Sequence, residues 1–294
     1  MPALLTMMLI PPNIFTVSST ALVAGALGDQ HPQLLVLSDK EAAAYLYHDL
    51  VQLHGEESVF FLPSTYKRSP EFGQPDSSQL ILRTEALQQL RRAKAGQFCV
   101  SYTEALLEKV PGSRVIEQQT LTLQRGEQID LFFIVDFLKE LGFKKADFVY
   151  EPGYYSVRGS ILDVYSYSYE EPFRIDFFGD EVESIRSFDI ETQLSQSSFD
   201  EITLIPELGA GEDGKDFTSL AQALPAEVLV WIDSPDLIRE RMNQVMEKVV
   251  EKQGQLVEAE SRDQKIPAPT QLVDGDQLFH DLSGRPLLLL NQAG

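Results

Sequence analysis

Positive charge is scarce in this chain: 24 Lys and Arg stand against 45 Asp and Glu, a formal net charge of −21 over 294 residues. Such a surface repels a phosphate backbone, because nucleic-acid binding through the bulk surface needs clustered cations that displace counterions. Duplex DNA is therefore an unfavoured partner, with a small local patch at Lys144, Lys145 and Arg158 left open as an exception. Cysteine is almost absent as well. The single one, Cys99, lies in the apolar run Gln97-Phe98-Cys99-Val100, which reads as a buried strand and has no partner for an intramolecular disulfide. A reducing compartment fits that usage. No Lys or Arg precedes Lys40, so the apolar opening over 1–10 lacks the charged start of a signal peptide. No run approaches the ~18 apolar residues that a membrane span requires. A cytoplasmic location without a membrane partner is the expectation.

Metal chemistry has little to build on. His31, His48, His54 and His280 are scattered and form no ligand spacing with Cys99 or with a carboxylate pair. The acidic runs Glu170-Glu171 and Asp180-Glu181-Val182-Glu183 read as solvated turns. Neither a metal, a cofactor nor a catalytic residue is assigned.

What the chain does hold is an ordinary globular composition, 43% hydrophobic and 23% charged, long enough for two or three packed units. Short β-branched or apolar runs at 14–17, 34–37, 59–62 and 98–101 predict strands. Helical patterns lie between them, over 39–53 with Asp39 as N-cap and over 77–93. That alternation is the rhythm of a parallel α/β sheet. Beyond Pro111 one helix over 130–141 precedes closely spaced strands from 148 to 188, the pattern of an inserted α+β unit. Its hairpin over 172–188 turns at Gly179-Asp180. The pleat puts Phe173, Ile175 and Phe177 on one face and Arg174, Asp176 and Phe178 on the other. The α/β rhythm returns with a strand over 228–232, a helix over 235–252 and a strand over 286–290. Polar loops are expected over 209–215 and 258–268. The resulting division is 1–118 and 207–294 for the α/β part and 119–206 for the insertion.

A phosphate-binding loop needs glycine in the turn after the first strand, then Lys and Ser or Thr. Here that place reads Val17-Ser18-Ser19-Thr20-Ala21-Leu22, without glycine or lysine. The strand Val228-Leu-Val-Trp-Ile-Asp233 ends as a magnesium-binding strand does, yet Ser234 stands where a helicase-type enzyme carries its catalytic Glu. Asp233 is equally readable as a helix cap. The fold class expected is α/β: a degenerate phosphate-loop sheet domain with an inserted α+β domain, and no enzyme activity.

Glu151-Pro-Gly-Tyr-Tyr-Ser-Val-Arg-Gly-Ser-Ile-Leu-Asp-Val164, Pro172-Phe-Arg-Ile-Asp-Phe-Phe-Gly-Asp-Glu-Val-Glu-Ser-Ile-Arg-Ser-Phe-Asp189 and Glu191-Thr-Gln193 resemble the bacterial transcription-repair coupling factors, in their region homologous to the repair protein UvrB. The resemblance implies a UvrB-like frame whose inserted domain docks UvrA, the damage-recognition ATPase of nucleotide excision repair. It implies an N-terminal fragment, with RNA polymerase and DNA engaged through domains beyond it. UvrB itself keeps an intact phosphate loop and an aromatic-rich DNA-gripping hairpin; between Leu62 and Phe98 this chain offers only Tyr66, Phe72 and a helix. Carried over position by position, the family's UvrA contacts fall on Arg158, Arg174 and Phe178. Two other readings stay open for these three: Phe178 packed beneath a helix, and each Arg paired with Asp163, Asp176 or Glu171. For the whole chain the alternatives are a nucleotidase or helicase fragment and a DNA-binding module.

Overall fold

The computed structural model describes residues 9–10, 24–25, 30–66, 69–70, 76–112, 118–206, 216–258 and 267–290. The turn at 17–22, the strand expected over 14–17, the loop over 209–215 and Phe72 lie outside the described residues, as does most of the loop expected over 258–268. The chain divides into two compact units, Met1–Gly112 with Gly209–Gly294, and Ser113–Leu208.

Along the first unit run strands β1 (Leu9–Ile10), β2 (Gln33–Leu37), β3 (Val59–Phe61), β4 (Phe98–Tyr102) and β5 (Val110–Pro111). The helices among them are α1 (Lys40–His54), α2 (Ser77–Arg91) and α3 (Thr103–Leu107). The second unit carries β6 (Leu121–Gln124), helix α4 (Leu131–Glu140), β7 (Lys144–Lys145), β8 (Tyr154–Arg158) and β9 (Ile161–Val164). It continues with β10 (Phe173–Phe178), β11 (Glu181–Phe188), β12 (Ser195–Phe199) and β13 (Glu201–Leu204). The first unit then resumes with β14 (Phe217–Thr218), α5 (Leu220–Ala223), β15 (Leu229–Asp233), α6 (Pro235–Glu258), α7 (Gly275–Leu282) and β16 (Leu287–Leu290).

The first unit is built on a six-stranded sheet ordered β1-β16-β15-β2-β4-β3, parallel at every pairing. Its central strands are buried at every position, as a sheet covered on both faces requires. The pleat divides them. Leu34 and Val36 join Leu87 and Leu90 of α2, Ile238, Met242 and Val249 of α6 and Leu278 of α7 in one core. Leu35 and Leu37 join Ala43, Leu46 and Leu50 of α1 with Trp231 in the other. Helix α1 begins where the sequence indicates: Asp39 accepts a hydrogen bond from the Ala42 N–H at 2.8 Å, satisfying one of the free donors of the first turn.

Helix α6 runs six residues beyond the expected end at 252. A Cβ at Gly254, in its last turns, would meet nothing within 4 Å, and Gln255 Nε2 reaches Glu251 Oε1 at 3.3 Å. One glycine costs a helix about 1 kcal/mol, too little to end it. At the opposite end, Ser234 links β15 directly to α6 with φ at 48°, and Asp233 closes the strand, almost wholly buried.

Cys99 lies in β4 with no exposure, and burial pushes its thiol far above the usual range. Thiol reactivity requires the thiolate. Cys99 is accordingly expected to resist labelling by an aromatic disulfide reagent in the native chain and to react fully in denaturant. Rapid native labelling would contradict its placement.

Candidate protein-docking face of the second unit

The second unit centres on a six-stranded sheet ordered β12-β11-β10-β9-β8-β7. Its inner face is apolar. Leu162, Val164, Phe173, Ile175 and Phe177 pack with Ile134 and Leu138 of α4, and with Leu123, Ile202 and Leu204 of the β6–β13 pair. Asp130 starts α4 as N-cap, its carboxylate accepting from the Phe132 N–H at 2.7 Å.

The β10–β11 hairpin turns through Gly179 and Asp180 between the paired residues Phe178 and Glu181, with Gly179 at φ 63°, a conformation that costs other residues strain. The pairing shifts by one residue: Asp176 opposes Ser184 while Phe177 opposes Val182, leaving Glu183 extra. Strict alternation would send Val182 and Ile185, three residues apart, to opposite faces. The bulge brings both into the inner core.

On the outer face the register lines up Ser156, Asp163, Arg174, Arg186 and Ser198 across five strands. Arg174 and Arg186 are direct neighbours, an arrangement that is repulsive without counter-charges. Two carboxylates supply them. Asp163, 1% exposed, receives Arg174 Nε at 2.7 Å and Arg174 Nη2 at 2.9 Å, a bidentate pair. Asp176 binds Arg186 and accepts from Ser184 Oγ at 2.7 Å. Arg158 also reaches Asp163, so three guanidinium groups share two carboxylates.

The three residues singled out in the sequence differ in how they are presented. Phe178 is 78% exposed, which removes the reading that a helix covers it. Arg158 has a side chain 41% exposed, bonded to Asp163 and lying over the Phe148 ring at 5.4 Å. Arg174 is the least accessible, its side chain 17% exposed. It lies 4.7 Å from the Phe188 ring centroid and donates to the Gln193 carbonyl at 3.1 Å. The hydrogen bonds to Asp163 raise the Arg174 pKa above its already high value. All three lie on the outer face; ion pairing and surface presentation coexist for Arg158, whereas Arg174 is ion-paired and mostly covered. Asp163 entered the sequence reading only as a possible partner; its shared role is visible once Ser156 and Arg174 are paired with it.

Among the described residues no group of three or more His, Cys, Asp and Glu could hold a metal ion. Nor, among them, is any helix long and apolar enough to cross a membrane.

Residues 121–208 match the family described as the UvrB interaction domain. The chain is also similar to several transcription-repair-coupling factors. That of Haemophilus influenzae is 28% identical over 188 residues, covering 63% of this chain and 16% of the relative. That of Myxococcus xanthus is 31% identical over 181 residues, covering 60% and 15%. That of Escherichia coli is 26% identical over 193 residues, covering 65% and 17%. The chain spans about one sixth of the length of these relatives. The chain is thus similar to the transcription-repair-coupling factors over about two thirds of its length, and its residues 121–208 match the UvrB interaction domain family.

Proposed function

We propose that this chain is a non-catalytic protein-binding module that docks UvrA through the outer face of its second unit, and so brings excision repair to stalled transcription. The observation that carries the reading is the match of 121–208 to the UvrB interaction domain, because it coincides with the unit whose face combines an exposed Phe178 with ion-paired arginines. An aromatic ring and guanidinium groups on one face have the composition of an interface hot spot. The parallel sheet of the first unit fits a UvrB-like frame. Val17-Ser18-Ser19-Thr20-Ala21-Leu22, without lysine, argues against nucleotide hydrolysis. In the protein that carries this module, RNA polymerase and DNA are proposed partners of other regions, in the cytoplasm.

Capture of the tagged chain by purified UvrA is the test. Saturable binding is expected without nucleotide bound to this chain. Absence of binding at tens of micromolar would overturn the reading, as would turnover of Mg-ATP by the chain alone.

A further inference from the structure

The segment joining β7 to β8 is pinned to the sheet at several points. The Ala146 N–H donates to the Tyr155 carbonyl at 2.9 Å, and Ser156 Oγ donates to the Asp147 carbonyl at 3.0 Å. Val149 is fully buried in a small cluster with Tyr165 and Phe188. With Val149 turned inward, its neighbours Phe148 and Tyr150 are turned out, 48% and 55% exposed, their ring centroids 6.2 Å apart. Burial does not explain two aromatic rings here, since roughly half of each still faces water and the corresponding gain in folding energy is forgone. The segment holds them in place nonetheless. Large side chains fixed before binding lose little conformational entropy on contact.

The Phe148 ring adjoins Arg158, whose guanidinium lies over it. Arg158 is also the most exposed of the three arginines that share two carboxylates, so of the three it is the one best placed to meet a partner's carboxylate beside the rings. Asp147 and Glu151, both exposed, flank them. A polyphosphate would add many negative charges to those two carboxylates, whereas a single carboxylate adds one.

We propose that Phe148 and Tyr150 extend the docking surface beyond Arg158, and that they receive a segment of UvrA presenting one carboxylate to Arg158 with an apolar side chain beside it on the rings. This rests on the UvrA reading and adds two contact residues and the chemistry of the partner segment.

The test titrates UvrA with the full chain as parent, as the double variant Phe148→Ala/Tyr150→Ala and as Phe178→Ala, and records the melting of each. The double variant is expected to melt with the parent and to bind about tenfold to thirtyfold more weakly. Parent-like affinity in the double variant, beside weakened binding by Phe178→Ala, overturns the inference and leaves the UvrA reading standing. No binding by the parent overturns both. Should the double variant melt early, Tyr150→Glu replaces it: the side chain is exposed, and a new carboxylate repels the partner's own. Undiminished binding of Tyr150→Glu then overturns the inference. So does salt-sensitive binding of a short DNA duplex that the double variant loses.

Discussion

Phe178→Ala is expected to leave the melting of the chain unchanged and to weaken UvrA binding by about thirtyfold, the loss that removing a hot-spot aromatic typically brings. The two halves of this expectation have separate causes. Phe178 is 78% exposed, so truncation opens no cavity and costs about 0.5 kcal/mol or less. A ring filling an apolar pocket at a desolvated centre, in contrast, is lost to the interface entirely. Arg158→Ala follows the same logic: binding weakens while melting changes little, because Asp163 keeps Arg174 as its bidentate partner. Arg174→Ala is a poorer probe. Its side chain is mostly covered, and removing it leaves the buried Asp163 with only Arg158, so stability and binding fall together. Calorimetric melting beside a UvrA titration separates these outcomes; a Phe178→Ala variant that melts normally and binds like the parent would contradict the assignment.

Glu108→Ala is expected to destabilise the first unit by about 3–5 kcal/mol, the loss typical of breaking a buried ion pair from one side. Glu108 accepts from Ser64 Oγ at 2.6 Å, from the Thr65 N–H at 2.8 Å and from Thr65 Oγ1 at 2.5 Å. Its carboxylate also faces Arg83 Nε at 3.7 Å, with the two side chains only 10% and 4% exposed. Arg83 donates in addition to the carbonyls of Pro63 at 2.7 Å and of Glu108 itself at 3.2 Å. Removing the carboxylate strands a buried guanidinium and takes the acceptor from three donors of the loop after β3. Glu108→Gln keeps one acceptor oxygen and the side-chain volume while losing the charge and turning the other oxygen into a donor, so its cost is smaller. Chemical denaturation of the two variants tests the ranking. A Glu108→Ala midpoint equal to that of the parent would show that the network contributes nothing.

Local signals made much of this architecture legible in the sequence. The continuous apolar runs over 34–37 and 98–101 describe strands buried on both faces, and Asp39 marks the start of α1. Alternation in Phe173-Arg174-Ile175-Asp176-Phe177-Phe178 assigns the two faces of β10 correctly, because a pleat has a period of two. Other features depend on partners distant in sequence. The bulge at Glu183 arises from fitting both Val182 and Ile185 into one core. The sharing of Asp163 by Arg158 and Arg174 comes from the register of three strands. The outward turn of Phe148 and Tyr150 follows from burial of Val149 against Tyr165 and Phe188. Propensity and spacing carry none of these.

Amide hydrogen exchange of the full chain with and without UvrA tests the central claim most directly, because exchange reports which backbone segments a partner covers. Docking through the outer face predicts slowed exchange over 146–158 and 173–188, with 33–37 and 98–102 of the parallel sheet unchanged. Protection confined to the parallel-sheet unit, with 173–188 exchanging as in the free chain, would contradict it.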